Sequence, residues 1–159
     1  MSLQVILALL FNAVLAAVCG AALVRGGRPE RVGAVINLTA SSVTTALRLW
    51  HISYFAPMDL VIVSIDLVVA GGFFWLGVTT TRFWPIWAAG FALANLFMNF
   101  CSALMPNIPL FAFHTGLGIY AYLALGALGL GTYRLPRNAE PHLRDGSRRS
   151  WLRHLKKTS

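Results

Sequence analysis

Five long apolar runs, separated by short connections, limit what this chain can fold into more than any other feature. They cover residues 2–24, 32–54, 58–78, 83–105 and 110–133. A bilayer core takes about 20 mostly apolar residues per helix, so the pattern predicts an all-α integral membrane protein with a bundle of five transmembrane helices. The breaks have the expected chemistry. "RGGRPER" (Arg25 to Arg31) ends one helix with Gly-Gly and starts the next with Pro29. "FAP" (Phe55 to Pro57), "TTTR" (Thr79 to Arg82) and "MPNIP" (Met105 to Pro109) make the other three. The first run has no basic leader and exceeds a signal-peptide core in length, so it reads as a retained span.

Charge sets the orientation. Charged residues are 11% of the chain and hydrophobic ones 57%, whereas soluble domains carry roughly 25% charge. Of the 13 Lys and Arg, all but Arg25, Arg28, Arg31, Arg48 and Arg82 follow residue 133. The second run is the polar one, with Asn37, Thr39, Ser41, Ser42, Thr44, Thr45, Arg48 and His51. If it spans, both basic loops and the basic tail share one face, and the Lys/Arg-free loops face the other way. Positive residues favour the cytoplasmic side, which gives an N-terminus outside and a C-terminus inside. The expected location is a membrane, crossed several times. Trp50, Trp75, Arg82, Trp84 and Trp87 are expected as interface anchors. In the tail (134–159), Arg148, Arg149, Arg153, Lys156 and Lys157 surround Trp151, Leu152 and Leu155. Such a segment suits a short interfacial helix on anionic headgroups, or equally a frayed, solvated tail. A charge excess that lies mostly in the tail does not make a nucleic-acid-binding face.

Two spans carry a polar seam. Ala34, Asn37, Ser41, Thr44, Arg48 and His51 follow steps of three and four in the second run. Pro85, Ala88, Ala92, Asn95, Asn99 and Ser102 do so in the fourth. Residues at these steps share a helical face, and in membranes such a face packs against other helices or lines a polar path. The third run supplies Asp59 and Asp66, seven apart and on one side. Arg48 and Asp66 each fall roughly 10 Å below the outer mouth at 1.5 Å per residue. An unpaired charge at that depth is costly, so an Arg48–Asp66 interaction is expected.

His51 and His114 fall at similar depth near the outer face, as two axial ligands of a b-type haem would. Hydrogen bonding at helix ends is the other reading. No cofactor is otherwise expected, no CxxCH motif is present, and no set of ligands at one level suggests a metal. Cys19 and Cys101 fall at opposite faces, too far apart to bridge. The fifth run is rich in small residues (Gly116, Gly118, Ala121, Ala124, Gly126, Ala127, Gly129, Gly131), which permit close helix approach.

"GGRPERVGAVI" (Gly26 to Ile36) and "TRFWPIWAAGF" (Thr81 to Phe91) resemble a set of small, uncharacterised inner-membrane proteins of alphaproteobacteria, especially sphingomonads. Those proteins carry a Pro-Glu-Arg loop and an Arg-Phe-Trp-Pro-Leu-Trp helix start. The likeness runs from about Gly26 to Arg134. The family pattern often has a histidine where this chain has Asn99 and an acid where it has Met105. The resemblance implies an inner-membrane location and no particular activity.

These features point to a non-enzymatic accessory, assembly or scaffold component of a membrane complex or homo-oligomer. A small transporter or channel built on Arg48 and Asp66 is the first alternative, and haem-based electron transfer through His51 and His114 the second. No serine elbow, HExxH or phosphate-gripping glycine loop appears in a suitable context.

Overall fold

The computed structural model describes residues 3–50, 60–104, 110–136 and 138–158, with side chains at 6–47, 60–101, 118–136 and 138–156. Five long helices follow in order: α1 (Leu3–Arg25), α2 (Arg28–Trp50), α3 (Leu60–Thr79), α4 (Trp84–Leu104) and α5 (Leu110–Tyr133). Two short ones, α6 (Pro141–Asp145) and α7 (Arg148–Thr158), complete the chain. No strand occurs among the described residues; a single bridge links Thr80 and Ser147. The protein is all-α. Among the described residues, two helical stretches are long and apolar enough to cross a membrane, Ile6–Arg25 and Leu60–Thr79. The polar seam of α2 is the physical reason that its apolar character falls short.

The long helices close on one another. α4 packs against α3 and α5, α1 against α2 and α5, and α2 against both α3 and α5. Each buries one stripe, as helical periodicity requires. On α1 the stripe is Leu15, Cys19 and Ala22, on α3 Ala70, Phe73 and Leu76, and on α4 Trp84, Ala88 and Ala92. On α5 it is Ala124, Leu125 and Leu128. Opposite these stripes the helices present large apolar side chains outward. Ile86, Trp87, Leu93, Phe97 and Phe100 do so on α4, and Ile119, Leu123 and Leu130 on α5. The outward faces are thus as apolar as the inward ones. That inverts the usual soluble arrangement, in which a polar face meets solvent.

The tail docks at the end of the bundle where α1 meets α2 and α3 meets α4. Thr81 N donates to the Gly146 carbonyl at 2.9 Å, and an Arg82 NH2 group donates to the Leu143 carbonyl at 2.6 Å. Arg28 reaches Asp145 at 3.5 Å. Gly146 terminates α6 at φ 58°, in the left-handed region where a side chain is disfavoured. A Cβ there would also press on the Pro29 ring. The turn that joins α6 to α7 is thus fixed by backbone conformation and by contact with α2.

Candidate functional site

Among the described residues, two polar clusters lie inside the bundle, at different levels. The first is at the tail end. Glu30 stands in the first turn of α2 and is fully buried. Its Oε1 accepts a hydrogen bond from Trp84 Nε1 at 3.1 Å. Arg82 Nε lies 3.4 Å from the same oxygen, within ion-pair range, and its side chain is 19% exposed. That nitrogen is close enough for Coulomb attraction but not aligned for a hydrogen bond. Glu30 Oε2 has no hydrogen-bond partner among the described residues.

Trp84 organises this end. Its ring meets the backbone of Gly33 on α2 and of Gly131 on α5, where any Cβ would collide with it. It also meets Phe73 of α3 edge-on, with ring centroids 6.1 Å apart at 78°. One side chain of α4 thereby touches three other helices, and the two glycines are the notches that admit it. Expected as interface anchors, Trp84 and Arg82 are instead turned inward. Trp84 is entirely buried, and Arg82 is tied to Glu30 and the Leu143 carbonyl rather than extended to headgroups. Trp75 and Trp87 do face outward, at 57% and 61% exposure. Thr81 binds the tail at Gly146 and lies outside α4, which begins at Trp84.

The second cluster is further along the bundle. Asp66 stands about two turns into α3, on the face that continues to Ala70 and Phe73. Its Oδ2 accepts from Asn95 Nδ2 at 2.8 Å and from Asn99 Nδ2 at 3.1 Å. The two asparagines are one turn apart on the inward stripe of α4, so both amides reach one carboxylate oxygen. Asn99 is buried, while Asp66 and Asn95 are half-buried. A carboxylate held by two amides is a well-solvated acceptor in an apolar bundle. Such a group can serve as a structural tie, or as a site that exchanges a proton or a small cation.

The seam of α2 also faces protein. Asn37, Ser41 and Thr44 are half-buried, while Val35, Thr39, Ser42 and Val43 are exposed. Asn37 Nδ2 donates to the Gly33 carbonyl one turn back, at 3.2 Å. Thr39 and Ser64 bond their own helices in the same way. Groups satisfied within their own helix need no water or partner. The side chains of Arg48, Trp50, His51, Asp59, Ser102, His114 and Lys157 lie outside the described residues. The expected Arg48–Asp66 pair and the His51–His114 haem site fall there. In the tail, Arg148, Arg149, Arg153 and Lys156 are exposed on α7, together with Trp151, Leu152 and Leu155.

No protein-family model, curated protein or solved structure matches the chain.

Sequence reasoning treated Glu30 only as part of a basic connection. The signal was present, because Glu30 is the one acid in the loop between the first two runs, and charge parity brings Arg82 to the same end. An acid next to three arginines in sequence was open to pairing with a fourth from another loop.

Proposed function

We propose that this is a small, non-enzymatic inner-membrane protein of five spans, N-terminus outside and C-terminus cytoplasmic. On this reading it acts as an accessory or scaffold subunit of a membrane complex or homo-oligomer. One observation supports this above the others: glycines on the outward faces sit in open space among bulky apolar neighbours. A Cβ added at Gly20, Gly71, Gly90, Gly118 or Gly126 meets nothing within 4 Å. Inside the bundle Gly33 and Gly131 are filled by Trp84, whereas these five are unfilled notches. Notches of this kind let a second helix approach closely in lipid. The docked tail, with α7 presenting Trp151, Leu152, Leu155 and its basic residues, supports contact with anionic headgroups on the cytoplasmic side.

The reading is tested by in-membrane crosslinking. Gly90→Cys and Gly126→Cys are expected to crosslink to a neighbouring chain, and Gly90→Leu or Gly126→Leu to weaken its capture without unfolding the bundle. A protein that runs as a lone monomer in mild detergent, with no crosslinked neighbour in cells, would refute it.

A second reading rests on Asp66. A half-buried carboxylate that receives two amide donors is the kind of group that transporters and channels use. Asp66→Asn separates the two readings. Abolished flux of a proton or cation in vesicles supports transport, while unchanged flux with lowered stability supports a structural tie.

A further inference from the structure

We propose that Glu140, His142 and His154 form a binding site for a divalent transition-metal ion of the zinc, nickel or cobalt class, fastening α6 to α7. The three donors come from the start of α6 and the middle of α7. His142 Nδ1 lies 3.2 Å from a Glu140 carboxylate oxygen. The His142 and His154 rings stack with centroids 3.9 Å apart and planes 11° from parallel. One ligand atom from each of the three residues lies within 4.8 Å of the others. Trp151, one turn before His154, places its ring 5.7 Å from that of His142 and closes one side of the group. Glu140 is exposed and both histidines are half-buried, so an ion has access.

The donor chemistry selects the ion. Two imidazoles and one carboxylate suit zinc, nickel, cobalt or copper, whereas magnesium and calcium favour oxygen-only sets. Three protein donors leave at least one position for water. Nitrogen lone pairs lie in the ring planes, so two stacked rings cannot both aim at one ion. One ring must leave the stack. Around a tetrahedral ion with bonds of about 2.0–2.1 Å, donors stand roughly 3.4 Å apart. Closing from 4.8 Å to that spacing is within the range of side-chain rotation.

The site also answers a structural need. α6 has five residues and α7 eleven, and helices shorter than about 12 residues are marginal in water without outside support. The outward side of α7 is exposed along its length. A metal bridge between the helices would hold the hairpin on its inner side. This inference concerns the tail alone and stands apart from the oligomer reading.

The test uses the full-length protein in detergent micelles, with no affinity tag, titrated with Co²⁺ and followed by visible ligand-field absorption. The expected result is one Co²⁺ per chain, unaffected by a large excess of Mg²⁺. His142→Ala and His154→Ala should each weaken binding by at least about tenfold, with Glu140→Gln a smaller loss. The paired change His51→Ala and His114→Ala should leave binding intact. Far-UV circular dichroism of each variant establishes that the bundle is folded. His154→Gln, which keeps a polar side chain on the helix, should lose binding as His154→Ala does. Absence of saturable Co²⁺ absorption in the wild type would overturn the proposal. So would binding that survives both tail variants, or that is lost only when His51 and His114 are replaced.

Discussion

Replacing Glu30 by alanine should destabilise the bundle more than any other single removal of a polar side chain in the described core. The carboxylate is fully buried and one oxygen serves two partners, Trp84 Nε1 at 3.1 Å and Arg82 Nε at 3.4 Å. Removal leaves a cation with 19% exposure without its counter-charge and a buried indole N–H without its acceptor. Breaking a buried pair by deleting one partner costs about 3–5 kcal/mol. For a chain of this size that corresponds to a fall of roughly 10 °C in Tm, at about 2–4 °C per kcal/mol. Glu30→Gln keeps the volume and an oxygen for Trp84 but forfeits the attraction to Arg82, so it should cost about 1–2 kcal/mol. The assay is thermal unfolding in a fixed detergent, read by loss of monodisperse protein, with Arg82→Met and the Glu30/Arg82 pair completing a double-mutant cycle. Coupling above about 0.5 kcal/mol is expected for groups in contact. A Glu30→Ala protein melting within about 2 °C of wild type, or a strictly additive cycle, would refute the reasoning.

Three further outcomes are expected. Gly33→Val and Gly131→Val, which put a side chain where the Trp84 ring lies, should each cost about 1–3 kcal/mol or more. Neither should be harmless in the thermal assay, whereas Gly71→Ala, which faces open space, should be close to neutral. Asp66→Leu should leave the Asn95 and Asn99 amides without their shared acceptor, at about 1–3 kcal/mol, and the further change Asn95→Leu should recover part of the loss. The last concerns pH. The Ser147 hydroxyl, followed by Ser150 and then Arg28, holds the Asp145 carboxyl below the usual aspartate range. A lowered folded value means that this contact stabilises the docked tail fully above the unfolded value of about 3.9. The stabilisation is lost as pH falls through the lower folded value. Hydrogen exchange at α6 should therefore be governed by other factors from about pH 5 upward and accelerate only below about pH 4, and Asp145→Asn should remove that acid step.

The all-helical class was legible because apolar runs of near-constant length leave the chain little else to form. The inward stripes of α2 and α4 were legible too. Asn37, Ser41 and Thr44 on α2 and Ala88, Ala92, Asn95 and Asn99 on α4 follow helical spacing, and they lie on the protein side. What spacing could not give was the choice of partner across helices. Asp66 was open to pairing with any polar group at its depth, and two asparagines of α4 reach it. Trp84 was misread because tryptophan next to arginine at a helix start has the composition of an interfacial anchor. Its burial depends on Gly33 and Gly131, which lie far away in sequence and gain meaning only when three helices meet. The tail was the least legible part. Its docking uses backbone groups of Leu143 and Gly146, and backbone acceptors leave no trace in a sequence pattern.

Topology mapping with paired reporters tests the central claim, five spans with the basic loops and tail on the cytoplasmic side. Alkaline phosphatase, active only outside the cytoplasm, and a fluorescent protein, bright only inside it, would be fused in turn after Gly27, Ala56, Thr81, Asn107 and Ser159. The account predicts fluorescence at Gly27, Thr81 and Ser159 and phosphatase activity at Ala56 and Asn107. Gly27 and Ser159 reporting opposite sides, or Gly27 and Ala56 the same side, would contradict it.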